Sequence, residues 1–124
     1  MKKARIAAPS SQELERWRAD AGTVSLLKLD VPPHASRDRV FDITCTMTVC
    51  LREQRVDAWH RMTVLANGQR EWQRQLPTQN AGASDSLEMH FRRRVALGEG
   101  LRIQVMGDVH LTQRLSLRIE AEEA

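Results

Sequence analysis

Residues 40–52 read "VFDITCTMTVCLR". Phe41, Ile43, Cys45, Met47, Val49 and Leu51 occupy every second position, and Asp42, Thr44, Thr46, Thr48 and Cys50 lie between them. Successive side chains of a strand point to opposite faces, so the stretch has one apolar and one polar face. Alternation sustained over six apolar positions is the mark of a half-buried antiparallel strand, and it decides the fold class.

The same period continues on both sides. "TVSLLKLDV" (residues 23–31) precedes it and is ended by Pro32 and Pro33. Downstream come "LEMHFRRRV" (residues 87–95), "LRIQV" (residues 101–105) and "VHLTQRLSLRIEAEE" (residues 109–123). Gly107-Asp108 reads as a bulge or a turn between the last two. About seven strands with one apolar face each predict an all-β, antiparallel two-sheet β-sandwich or a flattened barrel. The expected core is Phe41, Ile43, Cys45, Met47, Val49, Met62, Val64, Trp72, Leu87, Met89, Phe91, Ile103, Val105, Leu115, Leu117 and Ile119. One helical signal stands before the strands. In "SSQELERW", Ser10 and Glu13 have capping-box spacing, and Leu14 and Trp17 share a helical face, so a short N-terminal helix is expected over residues 11–19.

"VDAWHRMTVLANGQREWQRQLP" (residues 56–77) is a hairpin around Asn67-Gly68. A plain two-residue turn would pair Thr63 with Trp72 and leave Met62 and Val64 on the opposite face from Trp72 and Leu76. A three-residue loop with Gly68 left-handed removes the conflict. It pairs Met62 with Trp72 and Ala58 with Leu76. Burial of a common face selects this register, and Trp59 then points outward beside Arg61, Thr63, Glu71, Gln73 and Gln75.

The 124 residues make one domain, 1–124, with residues 1–9 expected to be flexible. The net charge of +3, from 19 Lys+Arg against 16 Asp+Glu, is mild and mostly arginine. It lacks the concentrated excess of a nucleic-acid-binding tail. There is no Tyr, and the rings are Trp17, Trp59, Trp72, Phe41 and Phe91, which leaves few for stacking sugars or bases. Cys45 and Cys50 lie an odd number of positions apart, on opposite faces of one strand, and cannot bridge each other. Free thiols and the lack of an apolar leader point to a cytoplasmic protein. An exported fragment with its signal trimmed is the alternative.

The usual catalytic signatures are missing. There is no Gly-rich phosphate loop, nucleophile elbow or Cys-x-x-Cys pair. His34, His60, His90 and His110 form no His-x-His pair, and only His60 falls on an apolar face, so neither a metal site nor a cofactor is expected. The triplet Arg92-Arg93-Arg94 splits between faces, with Arg93 inward between Phe91 and Val95. If the strands around "ALGEG" are hairpin neighbours, Arg92, Arg94 and Arg102 crowd one outer end, neutralised by Glu88, Glu99 and Glu120 or by a bound anion.

The leading expectation is therefore a non-catalytic interaction module. It would self-associate or dock a protein partner through an outer face carrying Trp59, Arg61, Gln73 and Gln75. The alternative is an anionic ligand or weak nucleic-acid binding at His90, Arg92, Arg94 and Arg102. An enzyme with a loop-built site comes third.

Overall fold

The structure is a computed structural model and describes residues 13–124. The stretch called flexible and the beginning of the expected helix lie outside these residues. The chain forms β1 (Arg16–Ala21), β2 (Leu26–Val31), β3 (Arg39–Cys50), β4 (Trp59–Ala66), β5 (Gln69–Pro77), β6 (Ser84–Val95), β7 (Leu101–His110) and β8 (Gln113–Glu123). They build two four-stranded antiparallel sheets, ordered β1-β8-β3-β6 and β2-β7-β4-β5. Every connection except the β4–β5 hairpin crosses from one sheet to the other. Eight strands in this order make the double-sheet jelly-roll arrangement.

The apolar faces meet between the sheets. Phe41, Ile43, Cys45, Met47 and Val49 of β3 are buried against Met62 and Val64 of β4, Ile103 and Val105 of β7, and Leu117 and Ile119 of β8. Leu29, Val31, Ala66, Val95, Leu101 and Ala121 join them. Trp72, Met89 and Phe91, expected in the core, are only partly buried, because β5 and β6 are sheet edges. Leu115 is likewise half-buried.

The expected N-terminal helix is absent from the described residues, and its second half is β1. "RWRADA" alternates, with Trp17, Ala19 and Ala21 half-buried and Arg16, Arg18 and Asp20 exposed. Pairing with β8 from Ala21–Leu117 to Arg16–Glu122 supplies hydrogen bonds that a lone helical turn could not match. This segment is the eighth strand.

The hairpin differs in register but keeps its faces. Asn67 and Gly68 have φ of 49° and 83°, a two-residue turn with both residues left-handed. Ala66 pairs with Gln69 and Leu65 with Arg70, and a bulge then inserts Glu71, so that Val64 faces Trp72 and His60 faces Leu76. The face conflict is thus relieved one pair inside the strand instead of in a lengthened loop. The turn itself is held by β7: Asn67 N donates to Arg102 O, and Asn67 Oδ1 accepts from Arg102 N, both at 2.8 Å.

Gly107-Asp108 is neither bulge nor turn but the interior of β7. A side chain at Gly107 would stand 3.0 Å from Leu117 and 3.2 Å from Met47, so the glycine marks a close approach in the core. The β7–β8 reversal falls instead at Leu111, whose φ is 53°.

Candidate functional site

The outer face of β2-β7-β4-β5 carries the residues expected to bind a partner. Trp59 lies opposite His110 of β7 on one side and Pro77 of β5 on the other. The Trp59 and His110 rings stack with centroids 5.9 Å apart, and the Arg61 guanidinium sits 5.0 Å from the Trp59 ring centroid. Arg61 donates to Gln75 Oε1 at 3.2 Å and pairs with Asp108 at 3.4 Å, while its buried Nε has no partner. Gln73 donates to Thr63 Oγ1 at 3.0 Å and accepts from Arg70. The register thus brings Trp59, Arg61, Gln73 and Gln75 together. Leu26 faces Met106 across β2–β7, and Met106 faces Thr63 across β7–β4. With Leu65 they extend the patch as an apolar strip; Leu26 is 44% exposed.

Glu71 does not belong to this patch. The bulge sends it to the rim, where its Oε1 lies 2.6 Å from Arg93 Nη1. Arg93 does lie on the inner side of β6, as expected, and it ends in an ion pair linking the edges of the two sheets.

His90, Arg92, Arg94 and Arg102 are not one cluster. The strands around "ALGEG" are not hairpin neighbours, since β6 and β7 belong to different sheets. Each arginine meets an aspartate of the neighbouring strand or of the loop beside it. Arg92 contacts Asp42 at 2.8 Å, Arg94 contacts Asp38 at 3.0 Å, and Arg102 contacts Asp30 at 2.7 Å. His90 bonds Thr44 Oγ1 at 3.0 Å and lies 3.1 Å from Glu88. The Arg92 hydrogen bond holds the Asp42 carboxyl below its usual range. The Leu97 N–H, and then Arg94, does the same for Asp38.

A second polar cluster carries no local signal in the sequence, because its members are far apart in the chain. Glu15, Arg37, Arg39 and Glu123 meet where β1, β3 and the end of β8 converge. Arg39, whose side chain is 1% exposed, donates to Glu15 Oε1 at 2.8 Å, and Arg37 donates to Glu123 Oε1 at 2.9 Å. Trp17 Nε1 also donates to Glu15 Oε1. Burial pushes the Glu15 pKa up, but the Trp17 and Arg39 hydrogen bonds outweigh it and leave the group lowered.

His60 is the satisfied core histidine that its position predicts. It is buried, and its Nδ1 lies 2.7 Å from Thr78 Oγ1. Burial lowers its pKa, against an opposite pull from Asp85. It floors a hollow of about 270 Å³ bordered by Leu76, Asn80 and Asp85. A larger, open hollow of about 530 Å³ lies among Arg52, Arg55, Leu111 and Gln113. Burial pushes the Cys45 thiol up to about 12, so it stays protonated and unreactive. Among the described residues no group of three His, Cys, Asp or Glu converges as metal ligands, and no helix is long and apolar enough to cross a membrane.

No family model matches the chain, and no curated protein does. Two solved structures align with the chain at low identity. Dimeric latent PorU from Porphyromonas gingivalis is 11% identical with a TM-score of 0.54, over 90% of this chain. The Gt strain of infectious bursal disease virus is 8% identical with a TM-score of 0.36, over 88% of this chain and 33% of that one. The chain spans only 12% of the PorU chain, and the likeness to PorU is one of fold alone.

Proposed function

We propose that this chain is a non-catalytic interaction module that docks a protein partner on the outer face of β2-β7-β4-β5. The observation that carries this reading is the Trp59–His110 stack with Arg61 laid on the Trp59 ring. A half-buried tryptophan stacked on a histidine and beside an arginine, with Met106, Leu65 and Leu26 farther along the same face, has the make-up of an interface centre: a rigid ring, a multivalent donor and apolar area within reach. Among the described residues the opposite sheet has no comparable group on its outer side.

Parent and Trp59→Ala proteins, immobilised side by side, test it. The parent should retain a partner that Trp59→Ala loses, and the complex should protect β4 and β7 amides from hydrogen exchange. Equal retention by both, or protection confined to β3 and β8, would overturn the reading.

Anion binding at Arg92, Arg94 and Arg102 is the weaker reading, since each guanidinium is engaged by an aspartate. An anion would have to displace a carboxylate at each position. Affinity for a labelled oligonucleotide that survives about 0.2 M salt would reverse this order.

A further inference from the structure

We propose that two copies of this chain pair antiparallel through the free edge of β6, with Met89 on the two-fold axis. The resulting sheet would be continuous over eight strands. The proposal concerns a different surface from the Trp59 face and does not rest on it.

The edges of the sandwich are unequal. β1 and β2 are six residues long, and β5 is broken by the bulge at Glu71 and ends in Pro77. β6 has twelve residues, pairs with β3 at every one of them, and has no neighbour on its other side among the described residues. Such an edge presents a row of unpaired N–H and C=O groups that a second strand can complete. Short strands, bulges and prolines are ways of blunting an edge, and among the described residues β6 has none of them.

The inner face of β6 is also incompletely covered. Met89 and Phe91 are only partly buried, whereas Cys45 and Ile43, directly opposite them on β3, are 0% and 1% exposed. A strand added at the edge would cover both.

Self-complementarity selects the register. Pairing across a two-fold axis perpendicular to the sheet requires facing residues to share a side. With Met89 on the axis, Leu87 faces Phe91 of the second copy, Asp85 faces Arg93, and Glu88 faces His90. Ser86 faces Arg92, and no like charges meet. With His90 on the axis, Arg93 would face Leu87 and Asp85 would face Val95, so two charges would lie against apolar groups. With Leu87 on the axis the overlap shortens and Phe91 falls outside it.

Arg93 and Asp85 are the apparent obstacles, since inward charges on an edge strand normally repel another strand; in this register each faces the other's opposite charge. One of the five N–H groups of Arg93 is engaged by Glu71, and the others remain to meet Asp85 of the second copy.

Sedimentation at micromolar concentration should show a dimer. In a Cys45→Ala/Cys50→Ser background, which removes the thiol facing position 89 on β3, Met89→Cys should form a disulfide-linked dimer on mild oxidation. His90→Cys should not, because its two copies would be offset by two residues, about 7 Å along the strand, which is beyond bridging reach. Met89 is half-buried, so a second pair guards against misfolding. Glu88→Cys and His90→Cys lie on the exposed face, and they should link when mixed but not when oxidised separately. A monomer at every concentration, a link from His90→Cys alone, or no link in any of these samples would overturn the proposal. Trp59→Ala should leave the links unchanged, so failure here is distinguishable from failure of the docking face.

Discussion

The outer faces of the two sheets are built by the same alternation, yet they end in opposite states. On β1-β8-β3-β6 the charges close on each other: Arg16 with Glu122, Arg18 and Arg118 with Asp20, and Arg92 with Asp42. Between them runs the threonine row Thr44, Thr46 and Thr48, with Thr48 bonded to Ser86. On β2-β7-β4-β5 Arg102 pairs with Asp30 at one end, but other outward positions hold Trp59, Leu65, Met106 and Leu26, and Arg61 is shared among Trp59, Gln75 and Asp108. A face whose polar groups satisfy one another offers a partner little, because each contact must first break an existing one. The second face has apolar area to lose from water, and that difference singles it out. Net charge could not have done so, since both faces are charged and the ion pairs cancel locally.

Both faces rest on one core, so the comparison can be broken most severely from beneath. Phe41→Ala should destabilise the fold by about 3–5 kcal/mol, since the ring is wholly buried and its removal leaves a cavity. Phe91→Ala, at the edge and half-buried, should cost roughly half as much. Urea midpoints taken at concentrations low enough to leave the chain monomeric read the contrast, and equal shifts there would mean that β6 is covered on its free side even in the isolated chain.

Next in size is the cluster that fastens the chain's first and last strands. Arg39→Met removes a buried guanidinium that holds Glu15 and the Pro32 carbonyl. The loss should be about 3 kcal/mol, the low end for breaking a buried pair, because Arg37 still holds Glu15. The same substitution should increase hydrogen exchange in β1 before β4. Unchanged β1 protection would mean that the Trp17 contacts alone hold the strand.

These two regions also show what was legible in the sequence. The core could be read because alternation is local: β3 announces its inner face without reference to any other strand. The shared apolar face of the hairpin could be read for the same reason, although the pairing was two residues out. Burial demands only that apolar groups share a side, and a bulge at Glu71 meets that demand as well as a longer loop does. β1 was hidden because a capping-box spacing and a period-two pattern coexist in "SSQELERWRADA", and pairing with β8 decides between them. The ion-pair cluster was invisible, since Glu15 and Glu123 meet only after the fold has formed. Trp59 could be placed because its neighbours' faces were already known, but the His110 stack required the β4–β7 register.

A binding measurement sharpens the comparison without disturbing the fold. Trp59→Ala should weaken partner docking by about 2 kcal/mol, roughly 30-fold, as for an interface centre. Its urea midpoint should stay close to the parent's. Thr46→Ala, at the middle of the other face, should change neither quantity. If Thr46→Ala reduces docking as much as Trp59→Ala does, the two faces have been assigned the wrong way round.

The smallest effect separates the two halves of the molecule by pH. His60 belongs to the sheet with the Trp59 face but points inward, and burial lowers its pKa. The unfolded chain takes up this proton at about pH 6.5, while the folded chain takes it up only at lower pH. Stability from the neutral imidazole is therefore complete above about 6.5 and declines as pH falls through the folded value. The opposite sheet titrates lower. Asp20 and Asp42 are held below the ordinary carboxylate range by hydrogen bonds from Arg118 and Arg92. Their contribution persists until the pH falls below about 4 and is then lost. Denaturation midpoints should thus decline in two separate steps. His60→Gln should remove the upper step and leave the lower one, while Asp42→Asn should reduce the lower step alone. An upper step that persists in His60→Gln would move the acid sensitivity away from this core histidine.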